Sequence, residues 1–211
     1  MNSQIIDRYF PDLKKEQKAH IDALGDLYLD WNSKINVISR KDMDCFYTHH
    51  VLHSLAAAKF MKEFLPDLKK DICIMDVGCG GGFPGIPVAI LYPEAKFLLV
   101  DSIGKKVKVA QAVADAIGLT NVTTLHKRAE EVDIKADLVI SRAVTSLANF
   151  IPWVKGKYTE GIIYLKGGDL DQEIAEAQKK CKIRPSQIFQ KDVSDWFTED
   201  YFQEKKVLFI K

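Results

Sequence analysis

The chain has 211 residues, of which 47% are hydrophobic and 28% charged. That composition excludes a disordered or fibrous polypeptide and suits one sizeable domain, or one domain with an appended subdomain. Thirty Lys plus Arg stand against 29 Asp plus Glu, a net charge of +1, so no global field draws in a polyanion and any nucleic-acid site must be a local basic patch.

The N-terminal MNSQIIDRYF carries Asp7 and Arg8 and no leader-like apolar core, and no run approaches the roughly 18 apolar residues of a membrane span. Cys45, Cys73, Cys79 and Cys181 form no C-x-x-C pair, which argues against a zinc ribbon or a disulfide framework. A cytoplasmic protein without membrane contact is expected. From Lys14 to about Ile38, Ile21, Leu24, Leu27, Tyr28 and Trp31 recur at three and four, the period of an amphipathic helix. A second helix is expected from about Met43 to Leu65, ended by Pro66. Residues 1–68 thus form a helical cap and 69–211 a second, α/β domain.

In that domain short apolar runs alternate with helical segments, the signature of a parallel sheet with crossover helices. Strands are expected at Ile72–Val77, Lys96–Asp101, Val122–His126, Ala136–Ser141 and Gly161–Lys166. Helices are expected from about Gly85 to Leu91, at Lys105–Ile117 closed by Gly118, at Ser146–Val154 and at Asp169–Lys180. Gln187–Val193 and Lys205–Ile210, joined by the turn-like DWFTEDYFQE, read as an antiparallel hairpin at the sheet edge. The fold class is α/β and Rossmann-like: a mostly parallel seven-stranded sheet between helices, with an N-terminal helical cap.

Between the first strand and its helix lies Gly78-Cys79-Gly80-Gly81-Gly82-Phe83-Pro84-Gly85, with five glycines in eight residues. Such a turn brings bare backbone against a ligand. No G-K-[ST] follows, so a P-loop is not indicated. Gly80, Gly82 and Gly85 satisfy G-x-G-x-x-G with Asp101 as a ribose acid, which keeps a NAD(P)-dependent oxidoreductase open. Asp76, two residues before the first glycine, tips the balance: D-x-G-x-G-x-G resembles the first motif of class I methyltransferases dependent on S-adenosylmethionine (SAM). There the acid lies near the methionine ammonium, and it would repel a pyrophosphate. Asp76, Gly78, Gly80 and Gly82 are therefore cofactor candidates. Asp101 and Ser102 at the end of the second strand are candidates for ribose recognition, with a helix N-cap as the alternative role.

Trp31-Asn32 with Ile35-Asn36-Val37, His50-Val51-Leu52, Gly82-Phe83-Pro84-Gly85-Ile86-Pro87, Val100-Asp101-Ser102 with Lys105-Lys106, Ile140-Ser141-Arg142-Ala143 and Leu165-Lys166-Gly167 follow in that order. Together these blocks, spanning about residues 25 to 168, resemble the bacterial 16S ribosomal RNA guanine-N7 methyltransferases, the glucose-inhibited division protein B family. The resemblance implies SAM as cofactor and transfer of one methyl group to N7 of a guanine in 16S ribosomal RNA, free or in the small subunit, with no role for DNA. It adds Phe83, Ala129, Glu130 and Arg142 to the cofactor-binding positions. Where the family commonly has H-x-L-D-S, this chain has His50-Val51-Leu52-His53-Ser54, so an acid is replaced by His53. Without the resemblance the residues indicate a SAM-binding protein of unassigned acceptor, with an oxidoreductase or a non-catalytic interaction protein as competing readings.

Guanine N7 carries a lone pair and no proton, so its attack on a methyl group needs no general base, and positioning and desolvation should dominate. No catalytic side chain is assigned; Arg142 and Lys166 are the positioning candidates. Arg142, ending a strand, is expected to pair with a carboxylate near the cofactor or to donate to guanine O6. RNA contacts are expected from Arg40 with Lys41, Lys105 with Lys106, Lys127 with Arg128, and Lys166. Phe83 is the candidate for stacking on a splayed base, whereas Trp31 reads as core. Cys79 reads as a small residue filling the loop. Cys45, His49 and His53 share one helix face at i, i+4 and i+8, yet without H-E-x-x-H or a fourth ligand no metal is expected. A monomer is expected.

Overall fold

The computed structural model describes residues 2–211. One sheet of seven strands runs through the molecule: β1 (Cys73–Val77), β2 (Lys96–Asp101), β3 (Val122–His126), β4 (Ala136–Arg142), β5 (Tyr158–Gly167), β6 (Ile188–Asp192) and β7 (Lys205–Ile210). Their order is β3-β2-β1-β4-β5-β7-β6. The first five are parallel. β7 runs antiparallel to both β5 and β6. The expected terminal hairpin forms, but its second strand inserts next to β5 and leaves β6 at the edge. Strands covered on both faces must be apolar throughout, which explains the near-continuous runs Ile74-Met75 in β1, Leu138-Val139-Ile140 in β4 and Ile162 to Leu165 in β5, all buried.

Helices cover both faces. On one side α6 (Leu147–Val154) and α7 (Asp171–Cys181) pack on Val77, Val139, Ile162 and Tyr164. On the other, α4 (Gly85–Leu91) and α5 (Gly104–Ala116) share a core with α2 (Lys15–Lys34) and α3 (His53–Phe64), so the N-terminal helices are continuous with the sheet's own packing. α2 buries Ile21, Leu24 and Tyr28 as its period demands. Gly118 closes α5 with φ +74° while the N–H of Leu119 reaches the carbonyl of Ala114 at 3.0 Å.

Two N-terminal details differ from expectation. Gln4–Tyr9 forms a short helix, α1, which buries Ile6; one apolar turn in a polar decapeptide leaves too little periodicity to read. The expected single helix from Met43 is three pieces: a 3-10 turn (Arg40–Cys45), a π-helical stretch (Tyr47–Leu52) and α3. The π pitch changes which side chains share a face, so Cys45, His49 and His53 do not line up: Cys45 is exposed and His53 buried. Among the described residues no three His, Cys, Asp or Glu side chains gather as a metal site.

Candidate active site

A cleft of about 430 Å³ opens at the carboxyl ends of β1, β2 and β4. There the chain, having gone outward through β2 and β3, returns to lay β4 on the other side of β1, and such a switch point is where open α/β sheets bind ligands. Gly78, Gly80, Asp101, Ser102, Ala129, Glu130 and Arg142 line it. Seven of the ten expected cofactor positions thus come together.

The glycine loop divides by task. Gly78 (φ +73°) and Gly80 (φ +55°) face the cleft, and a Cβ on Gly80 would meet nothing within 4 Å. Gly81, Gly82 and Gly85 are required by packing, and so is Gly78, whose Cβ would meet Val144 Cγ2 at 2.3 Å. A Cβ on Gly81 would come within 3.0 Å of Val37, one on Gly82 within 2.4 Å of Ile86, and one on Gly85 within 2.7 Å of Asp76 Oδ2. From α2, Tyr28 donates its hydroxyl to the Gly81 carbonyl at 2.7 Å, which pins the loop to the N-terminal helices. Gly82 is accordingly not a cleft residue.

Asp76 is likewise not in the cleft. It is fully buried beneath the loop, where Oδ2 accepts the Gly85 N–H at 2.7 Å and Oδ1 has no partner among the described residues. Burial pushes its carboxyl up to about 8, against the opposing pull of the Gly85 N–H and the Arg142 guanidinium. The expected repulsion between Asp76 and a pyrophosphate therefore loses its basis, because the group sits below the loop and is largely protonated at neutral pH. Cys79 is buried in the loop, as its small size suggested. Asp101 takes the Gly80 N–H on Oδ2 and the Ile103 N–H on Oδ1, both at 2.8 Å. It fixes the loop to the end of β2, and each oxygen keeps a lone pair for a ligand hydroxyl.

Arg142 is partly buried at the end of β4 and, among the described residues, pairs with no carboxylate. Its guanidinium donates to the His49 carbonyl at 3.2 Å and to His50 Nδ1 at 3.1 Å, and lies 5.3 Å from the centre of the Phe83 ring. A guanidinium only donates, so His50 Nδ1 must accept and the proton resides on Nε2. Burial, reinforced by Arg142, lowers the His50 pKa to about 3. Phe83 is 5% exposed among Tyr28, Phe46 and His50. It is neither a cleft residue nor free to stack on a base: its size made it look like a ligand platform, but the N-terminal helices cover it.

The basic candidates also separate. Arg40 and Lys41 are exposed on the 3-10 turn, while Lys106, Lys127 and Arg128 line the cleft itself. Lys105 is exposed beside them. Lys166 is not free for a phosphate: its ammonium is held by Glu173 and, at 3.0 Å, by the Thr145 carbonyl. Trp31 is partly buried against the core.

A second, smaller cavity of about 180 Å³ shares Arg142 and Ala143 with the cleft and extends to His49, His53, Tyr201 and Lys205. Ala143, between the two, has φ +48°, a conformation that non-glycine residues hold only where surroundings enforce it. His49 and Tyr201 stack with centroids 3.9 Å apart and planes 15° from parallel. Tyr201 had no signal in the sequence beyond lying in an aromatic-rich linker, and Trp153 and Val144, which border the main cleft, had none either.

The family model GidB, described as rRNA small subunit methyltransferase G, matches residues 17–195. Proteins named ribosomal RNA small subunit methyltransferase G are 51% identical in Phocaeicola vulgatus, over 98% of this chain and 97% of that one. The homologue in Christiangramia forsetii is 46% identical over 100% and 97%. Among solved structures, magnesium protoporphyrin IX methyltransferase from Synechocystis, with bound SAM, aligns at TM-score 0.59 and 14% identity over 95% of this chain and 99% of that one. A SAM-dependent methyltransferase from Aquifex aeolicus aligns at 0.56 and 17% over 74% and 90%. At such identities the structures speak to the fold alone.

Proposed function

The chain belongs to the GidB family, rRNA small subunit methyltransferase G, and from that premise we propose that it transfers a methyl group from SAM to N7 of a guanine in 16S ribosomal RNA. The family match over residues 17–195 carries the reading. The oxidoreductase alternative loses further support from the sheet, because an antiparallel strand between β5 and β6 departs from the 3-2-1-4-5-6 order of dinucleotide-binding folds.

The residues present suit SAM. Space lies open over Gly80, and the Asp101 carboxylate ends β2 with lone pairs to spare for ribose hydroxyls. Ser102, Ala129 and Glu130 form the wall beyond it. When bound, SAM would supply an electrophilic methyl on a sulfonium, which a lone pair such as that of guanine N7 can accept without loss of a proton. The protein's work is to hold and to desolvate. Asp76 and Tyr28 set the loop from below and from the side, and Arg142 anchors the boundary between cleft and second cavity. His50, neutral and with Nδ1 occupied, has no proton to take, in keeping with a nucleophile that carries none.

The substrate, free 16S RNA or the assembled small subunit, is encountered in the cytoplasm by a monomer in this reading. No helix of the described residues is long and apolar enough to cross a membrane. The test is methyl transfer from radiolabelled SAM to small subunits and to 16S RNA from a strain lacking this protein, with N7-methylguanosine mapped by borohydride and aniline cleavage. Label at one cleavable guanine is expected; SAM binding without label on either substrate overturns the acceptor assignment and leaves the cofactor.

A further inference from the structure

We propose that the 180 Å³ cavity behind Arg142 receives the target guanine, with Lys205 donating to its O6 and the stacked His49–Tyr201 pair forming its aromatic wall. This deepens the guanine-N7 reading and rests on it.

Three observations converge. The cavity meets the cofactor cleft at Arg142 and Ala143, so a base seated in it faces the cleft across one residue's width, as direct methyl transfer requires. It has a flat aromatic wall, and unstacked RNA bases are held by stacking on such rings. It also offers a cation without a carboxylate partner. Lys166 is paired with Glu173 and Lys206 with Asp192 at 2.6 Å, whereas among the described residues Lys205 has no ion pair and lies 4.7 Å from the Tyr201 ring centre. A Cβ on Gly167 would come within 3.1 Å of its Nζ, so that glycine leaves the ammonium its room.

The chemistry of these groups selects the base. Guanine presents two acceptors, N7 and O6, along the edge that must face the methyl, whereas adenine presents an amino donor in place of O6. The donors Lys205 and Arg142 on the cavity's border suit O6 and disfavour the adenine amine, while Asp42, the carboxylate that also borders it, is engaged by His49 Nδ1 at 3.1 Å. His53 is 5% exposed, with Nδ1 3.2 Å from the Tyr201 hydroxyl and Nε2 buried without a partner among the described residues. It orients Tyr201 from below and leaves Lys205 unpaired, where a carboxylate would compete for that ammonium.

The experiment compares Lys205→Met, Lys205→Arg, Tyr201→Ala and Tyr201→Phe in steady-state methylation of small subunits from a strain lacking this protein, with SAM affinity measured by calorimetry. Lys205→Met is expected to lower kcat/KM for subunits about tenfold or more, as expected for one lost contact to a base edge, with the SAM Kd unchanged. Lys205→Arg should restore most of that loss, and Tyr201→Phe should exceed Tyr201→Ala. Unchanged kcat/KM in Lys205→Met overturns the proposal, as does a parallel loss of SAM affinity, which marks a structural role. A loss confined to KM that vanishes at low salt assigns Lys205 to a phosphate and overturns it too. If the wild-type protein binds SAM yet methylates neither subunits nor RNA, the guanine reading falls and this inference with it. That result is distinct from one in which only the variants fail to differ.

Discussion

Asp76 gives the sharpest test of the site's electrostatics. Replacing it by Asn keeps the size and an oxygen for the Gly85 N–H but removes the titration. The wild-type carboxyl has an ordinary value of 3.8 and is raised to about 8 in the fold. An acid raised on folding holds its proton in the native state while the unfolded chain has released it, so stability is full below pH 3.8 and falls as pH rises toward 8. At about 1.4 kcal/mol per unit the loss is about 2 kcal/mol at pH 5 and about 6 kcal/mol at pH 9. The fixed cost of a buried amide in Asp76→Asn is the same at both pH values. Relative to wild type, the ligand-free variant should therefore gain about 4 kcal/mol between pH 5 and pH 9. Urea unfolding of both proteins at the two pH values measures this directly. Curves that shift in parallel, within about 1 kcal/mol, would refute the buried, protonated carboxyl and with it the account of the loop.

Gly78→Ala should cost far more than Gly80→Ala. Both positions have positive φ, a strain of about 1–2 kcal/mol for alanine, but only the Gly78 methyl would meet Val144 Cγ2, at 2.3 Å, adding about 1–3 kcal/mol of overpacking. Thermal denaturation should show roughly twice the loss in Tm for Gly78→Ala, and equal losses would remove Val144 from the explanation. Arg40→Glu with Lys41→Glu is the clean probe of RNA affinity, because Lys106, Lys127 and Arg128 border the cofactor cleft and their variants would disturb both ligands. The double variant should weaken RNA binding and flatten its salt dependence by about two units while leaving SAM affinity intact; an unchanged slope excludes the turn from the interface.

The sheet was legible because burial on both faces forces each strand to be apolar along its whole length, and Gly118 and Pro66 marked helix ends through backbone geometry that side-chain packing cannot override. The π-helical stretch at Tyr47–Leu52 was not legible. Its residues, Tyr-Thr-His-His-Val-Leu, suit an ordinary helix equally well, and the contacts that depend on the pitch are made with residues distant in sequence, as His50 makes with Phe83. The same tertiary cause explains the site residues misread from the sequence. A glycine reads the same whether a ligand or another helix needs the space, so Gly82, with Tyr28 and Ile86 against it, looks in the sequence like Gly80, over which space is open. Phe83 carried the right chemistry for stacking on a base, but a contact already made inside the protein leaves no mark in the sequence.

Arg142 links these threads, and its chemistry makes Arg142→Lys a stringent test. The guanidinium spans the His49 carbonyl and His50 Nδ1 from one plane while its face meets the Phe83 ring. An ammonium has its donors on one point and no flat face, so it reaches one of the two acceptors and forfeits the ring contact. The other acceptor, left unpaired where burial already holds His50 near a pKa of 3, costs about 1–3 kcal/mol. Because the same side chain bounds both cavities, the loss should appear in cofactor and acceptor together: weaker SAM binding by calorimetry and a lower kcat with subunits, with the protein still folded. If Arg142→Lys transferred methyl groups at the wild-type rate, positive charge alone would suffice at the boundary. The fork that joins the π-helical stretch to β4 would then be dispensable.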